Sequence, residues 1–162
     1  MIIGVDPGLD GAICRLGRDG NVWIADMPTF RLKRGKAQRR ELDLVGLCNI
    51  LRSSIEDHDG ARAFVELAQA MPRQGTASMF SFGRSYGATL GILAALQIPV
   101  SIVSPAKWKR SLGVPAGKDA ARARASALMP QAAHQWPLKK HDGRAEATLI
   151  ALYGQRSLQG AP

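Results

Sequence analysis

Apolar residues follow two rhythms along this chain. Short, nearly unbroken apolar runs cover residues 2–6, 11–16 and 22–27, and R-D-G at 18–20 suits a tight turn between the second and third. Runs bounded in this way predict three strands, and the short connections make them antiparallel neighbours. From Leu42 the rhythm changes. Leu42, Val45, Leu47, Ile50, Leu51 and Ile55 recur at a helical period that stops near His58-Asp59-Gly60. Strand character returns over residues 61–67, a long helix is expected over 78–96, and 99–103 reads as another strand. Helices follow over 104–112, 118–129 and about 142–157. Between the third strand and the first helix, P-T-F-R-L-K-R-G-K-A-Q-R-R shows neither rhythm. Short disordered pieces are expected near Arg34 and after Leu158.

Three meandering strands, then helix, strand, helix, strand and terminal helices, is the order of a ribonuclease H-like α/β domain. Such a domain holds a mixed five-stranded sheet, three antiparallel strands first and parallel strands after, flanked by helices. Its first strand is central, which explains why M-I-I-G-V is apolar along its length, and its C-terminal end should open into a site. With 162 residues, one domain over 1–158 and a short tail over 159–162 is the expected organisation.

Composition narrows the partners. Lys and Arg number 22 against 13 Asp and Glu, a formal charge of +9, which favours nucleic acid ahead of an anionic membrane. No apolar run approaches the roughly 20 residues that span a bilayer. Met1 leads straight into a strand, so no signal peptide is expected. Cys14 and Cys48 lack C-x-x-C spacing and read as small core residues of a protein in a reducing cytoplasm.

Four carboxylates stand out by position: Asp6 at the end of the first strand, Glu66 in A-R-A-F-V-E-L, and Asp142 with Glu146, four apart at the start of the last helix. Carboxylates converging from separate elements repel one another unless cations lie between them, so the group suits Mg²⁺ or Mn²⁺. Two such ions roughly 4 Å apart would activate water and stabilise the leaving oxygen of a phosphodiester. Plainer roles exist for each: Asp6 as an acceptor in the P-G turn, Glu66 as a strand-end charge, Asp142 as a helix cap, Glu146 as a partner of the helix dipole. Against these, V-E-L sets Glu66 inside an apolar strand, where an unpaired carboxylate costs several kcal/mol.

G-V-D-P-G at 4–8, A-F-V-E-L at 63–67, F-G-R-S-Y-G-A-T-L-G-I at 82–92, V-S-P-A-K-W-K-R-S-L-G at 103–113 and H-D-G-R-A-E-A-T-L-I-A at 141–151 together resemble the RuvC-type Holliday-junction resolvases. The resemblance runs from Met1 to about Tyr153. It looks closest to the phage or prophage branch, through W-K-x-x-L-G and the form of the last motif. It implies a homodimeric, Mg²⁺-dependent endonuclease with two ions per site, Mn²⁺ substituting, that nicks two strands of like polarity at a four-way DNA junction without a nucleotide cofactor. In that resemblance Asp6 bridges the metals, Glu66 is the second acid and Glu146 the last. The family's remaining acid stands three residues earlier, where this chain has Gly143. Asp142 is the expected replacement, with His141 a second candidate to ligate metal or position water.

Lys109 and Lys118 match basic positions that the family uses near the scissile phosphate, and Lys107 lies beside the first of them. Plain surface lysines would look the same in sequence. Arg31, Lys33, Arg34, Lys36, Arg39 and Arg40 crowd into ten residues and suit the backbone of a junction arm. Met71 and Arg73 occupy a stretch where the resembling family carries a loop that enters the junction, Met71 as a wedge and Arg73 as a phosphate contact. Gly83, Gly87 and Gly91 leave one helix face bare, either for a dimer partner or for packing on the domain's own sheet. Phe80 and Phe82 suit core or dimer packing more than base stacking, and Trp108 suits core or interface. Two other readings compete. An actin-type ATPase shares the strand and G-x-D-x-G start but needs two such domains, and a non-cleaving junction binder would keep the basic surface while losing an acidic position.

Overall fold

The computed structural model describes residues 1–35, 37–56, 60–69 and 75–160, with only the backbone at 34, 37, 55 and 56. Lys36, Met71 and Arg73, and the side chain of Arg34, all expected to contact DNA, lie outside the described residues. In chain order the elements are β1 (Ile2–Val5), β2 (Ala12–Leu16), β3 (Val22–Asp26), β4 (Thr29–Arg34), β5 (Ala37–Leu42), α1 (Leu44–Glu56) and β6 (Arg62–Glu66). After them come α2 (Thr76–Ala95), β7 (Val100–Val103), α3 (Pro105–Ser111), α4 (Ala120–Leu128) and α5 (Asp142–Leu158), with 3₁₀ turns at Pro130–Gln135 and Lys139–His141.

Five strands form one sheet in the order β3-β2-β1-β6-β7. β1 pairs antiparallel with β2 and parallel with β6, so both of its edges are satisfied within the sheet. A strand so placed has no solvent edge or solvent face, and Ile2, Ile3, Gly4 and Val5 are all buried. The β2–β3 turn closes with Gly17 N–H donating to the Asn21 carbonyl at 2.9 Å. Gly20 there adopts φ +82°, a conformation open to glycine.

Side-chain alternation divides the core. Ile3, Val5, Ile13, Ala63 and Val65 face α1 and α2, packing with Leu47, Leu51 and Leu93. Ile2, Cys14, Leu16 and Phe64 face the other way, onto α5 and the helices outside it, with Trp108, Trp136 and Leu149. Cys14 and Cys48 are free thiols, Cys14 buried. Two close approaches fix α5 against the sheet. A Cβ on Gly4 would stand 2.5 Å from the Ala151 nitrogen, and one on Gly143 would stand 2.7 Å from Gly11 Cα.

One expectation is overturned. The basic segment near Arg34, expected to be disordered, forms the antiparallel β4–β5 hairpin, a separate two-stranded sheet with Arg31 opposite Arg40 and Lys33 opposite Gln38. No apolar face announces it in the sequence, because Phe30, Arg31, Lys33, Arg39 and Arg40 are exposed. Its base is held instead. Leu42 is buried, Asp43 N–H donates to the Pro28 carbonyl at 2.9 Å, and Arg84 pairs with Glu41 at 2.7 Å. A lone hairpin is marginal in water, so these anchors matter.

Candidate active site

The carboxylates meet because of register and alternation. Val5 pairs with Val65, so Asp6 and Glu66 follow side by side at the same end of the two parallel strands. Ile2 and Gly4 belong to the α5 face of β1, as Phe64 does on β6, and counting by twos sends Asp6 and Glu66 to that face. There α5 brings Glu146. The turn after β1 is tied down by Asp6 N–H to the Ala12 carbonyl at 3.0 Å and by Gly8 N–H donating to Asp6 Oδ1 at 3.2 Å. Gly11 packs directly on Asp6: a Cβ there would lie 2.8 Å from the carboxyl carbon.

Electrostatics at this end are those of crowded acids. Asp6 is pushed up to about 7 by burial first and by the charge of Glu146 next, with Glu66 adding to it, while the Gly8 N–H and Lys109 oppose. Glu66 is raised by burial and Glu146, against the hydrogen bond from Trp108 Nε1 to Glu66 Oε2 at 2.7 Å. Lys109 Nζ lies 2.9 Å from Glu146 Oε1. Burial alone would lower Lys109, but the hydrogen bond and charge of Glu146, then the charges of Glu66 and Asp142, outweigh it and hold the ammonium form more firmly.

Of the fourth-acid candidates, Asp142 lines the same cleft as Asp6 and Glu146, whereas His141 lines the neighbouring groove with Arg40, Lys140 and Arg144. Asp142 Oδ1 is buried without a hydrogen-bond partner, 3.8 Å from Arg122 Nε. His141 Nδ1 accepts the Leu138 N–H at 3.3 Å, and burial, then Arg144 and Lys140, hold its pKa below the usual range. Gly143, at the position of the resembling family's remaining acid, sits too close to the Asp10–Gly11 backbone to carry a side chain.

The other expected residues are spread more widely. Lys109 reaches the acids directly. Lys107 lies on the outer side of α3, in a groove with Arg110, Tyr153 and Ser157, and Lys118 stands exposed in the turn before α4. Arg40 pairs with Asp10 at 2.5 Å, while Arg39 points from the opposite hairpin face. Trp108 is fully buried, as one of its two expected roles required. Its hydrogen bond to Glu66 was missed, as were Lys139 and Lys140 on the cleft wall. The first follows from the strand register, which the sequence does not show: α3 starts just after Val103, whose partner on β6 is Glu66.

Among the described residues no three His, Cys, Asp or Glu side chains stand together as a ready-made cation cage. The donor chemistry nevertheless fits a hard divalent ion. Asp6 and Glu66 are crowded enough to be pushed towards the protonated form, Asp142 Oδ1 is an orphaned acceptor, and Glu146 already holds a cation, the Lys109 ammonium.

A pH dependence follows. The unfolded chain releases the Asp6 proton near 3.8 and the cation-free folded state near 7, so between these values the folded state binds more protons. Its stabilising contribution is complete below about 4 and is lost as pH rises through about 7. The size is roughly 4 kcal/mol at most, reduced by solvent reaching the half-buried group. Melting temperatures in EDTA from pH 4 to 8 should fall along this window, and saturating divalent cation should flatten the fall.

No protein-family model matches the chain. It is 32% identical over 153 residues to the chloroplastic Holliday junction resolvase MOC1 of Chlamydomonas reinhardtii, a match covering 82% of this chain. The chain spans only 17% of the length of that curated relative. Among solved structures it superposes on Thermus thermophilus RuvC in complex with a Holliday junction substrate with TM-score 0.61, 15% identity, and 98% and 96% of the two chains covered. A second Thermus thermophilus RuvC structure gives TM-score 0.58 at 16% identity, covering 99% of this chain and 96% of that one. The chain therefore has the RuvC fold, a mixed sheet of ribonuclease H-like order, and is a sequence relative of a Holliday junction resolvase.

Proposed function

We propose that this protein is a metal-dependent endonuclease that resolves four-way DNA junctions by paired nicks. The observation that carries the reading is the convergence of Asp6, Glu66 and Glu146 at one end of the central strands, with Asp6 pushed up to about 7. So costly an arrangement is retained where the charges serve chemistry. Asp6, Glu66, Asp142 and Glu146 would hold Mg²⁺, two ions per site with Mn²⁺ substituting, and the metal would supply Lewis acidity and a water of lowered pKa. The chain's own residues do the rest. Trp108 orients Glu66, Gly8 orients Asp6, and Lys109 brings a positive charge to the place where a phosphate must sit. His141 is held as a second candidate to position water, and Lys118 to approach the phosphate from the turn before α4.

DNA contacts are assigned to Lys107 and Lys109 on α3, to Arg34, Arg39 and Arg40 of the hairpin, and to Lys36, Met71 and Arg73. A homodimer is part of the proposal, since two sites related by a two-fold axis match two equivalent strands. α2 supports it. Among the described residues a Cβ on Gly83, Gly87 or Gly91 would meet nothing within 4 Å, so the bare face does not pack on the described sheet. Phe80 on that face is 73% exposed, and Ile102 on the neighbouring edge strand is 52% exposed. Residues 1–158 would form the nuclease domain and 159–162 a tail, working in a cytoplasm, and W-K-x-x-L-G supports the phage-like branch.

Incubation with labelled four-way junction and matching linear duplex, in Mg²⁺ and in EDTA, tests the reading. Paired nicks in the junction, confined to the Mg²⁺ arm, are expected. Junction binding without nicking in either Mg²⁺ or Mn²⁺ would instead favour a non-cleaving binder.

A further inference from the structure

The carboxylate cleft does not stop at Glu146. Lys139 and Lys140, both exposed, line it opposite the Gly8–Gly11 turn. Leu9, Asp10, Gly11 and Lys140 line both this cleft and the next groove, so the two are continuous. The second groove runs past Arg40 to Thr29 at the base of the hairpin. From there the cross-strand register sets Arg31 and Lys33 on the same face as Thr29 and Arg40.

Charge along this trough is one-sided once the internal pairs are removed. Asp10 is paired with Arg40 at 2.5 Å, and Asp26 accepts two hydrogen bonds from Arg144, each 2.6 Å. What remains unneutralised by these pairs is Lys139 and Lys140 beside the acids and Arg31 and Lys33 further out. A row of exposed cations leading away from a cluster of acids is the footprint of a polyanion with one phosphate at the acids and others along the row.

We propose that this trough seats one DNA strand on one side of the phosphate that reaches the carboxylates. Lys139 and Lys140 hold the nearest phosphates, and Arg31 and Lys33 hold later ones on the hairpin. The inference rests on the nuclease reading for what happens at the acids, but the seating itself is a binding property and can be measured without cleavage.

Equilibrium binding of a labelled four-way junction in EDTA, titrated with salt, provides the test. Lys139→Gln with Lys140→Gln, and separately Arg31→Gln with Lys33→Gln, should each reduce the slope of log K against log salt by about 2, one per lost phosphate contact. Lys139→Arg with Lys140→Arg should keep the wild-type slope, as should Arg62→Gln at the far end of the sheet. Hydroxyl-radical protection should disappear on one side of the nick site only. If both neutralising doubles keep the wild-type slope and footprint, the trough is overturned even where wild type nicks junctions in Mg²⁺. Reduced slopes in a protein that never nicks would uphold the trough and sink the nuclease reading.

Discussion

Asp6→Asn should lower junction nicking by at least about a thousandfold, a loss of roughly 4 kcal/mol of transition-state stabilisation, while leaving junction binding in EDTA intact. The side chain keeps its size, so the turn closed by Gly8 and Gly11 should persist. What disappears is an anionic oxygen at the centre of the acidic group. The same variant should also melt higher than wild type at pH 8 in EDTA, because it no longer keeps a desolvated charge against Glu146 and Glu66. Lost nicking with gained stability separates a functional carboxylate from a structural one. An Asn variant that nicks at more than a tenth of the wild-type rate would remove Asp6 from the chemistry.

Gly143→Asp should fail as a repair. In the resembling resolvases an acid is expected at this position, and sequence alone invites the idea that restoring it improves the site. Here the first turn of α5 lies against the Asp10–Gly11 backbone, with the built Cβ 2.7 Å from Gly11 Cα. Two backbones would have to separate, since neither neighbour is a side chain that could swing away. The expected cost is about 2–4 kcal/mol, a drop in melting temperature on the order of 10 °C for a domain of this size. Nicking should fall too, because the shift displaces Glu146 one turn along. Gly143→Ala should show much of the same loss, which isolates the methyl from the charge. If the Asp variant melted like wild type and nicked faster, the close approach would be wrong.

The main sheet was legible because its signals are packing signals. The unbroken run of β1, the V-E-L interruption of β6 and the helical period of α1 each report burial, and burial decides those elements. Asp6, Glu66 and Glu146 were legible for the same reason, as charges at the ends or edges of apolar segments. The hairpin was not, since its stability comes from cross-strand hydrogen bonds and two ion pairs at its base rather than from an apolar face. Nor were the pairings of Trp108 with Glu66 and Lys109 with Glu146, which depend on how α3 turns back over β6. The 3₁₀ turns around Pro130 and Lys139 were missed because they are too short for any period to register. Gly143 illustrates the limit most clearly: its reason is a neighbour more than 130 residues away in sequence.

The β4–β5 hairpin shares no strand pairing with the five-stranded sheet and is tied to the core by Met27 just before it and Leu42 at its end, both buried. It is therefore a separable module. Its outward positions at Arg31 and Lys33 can be diversified without disturbing the acids at the end of β1, provided that Arg40 and Glu41, which tie the ribbon to Asp10 and Arg84, are kept. For protein engineering, that makes the proposed contacts with a DNA arm adjustable on the outward face of one short ribbon, while the positions where α5 touches the sheet should be left alone.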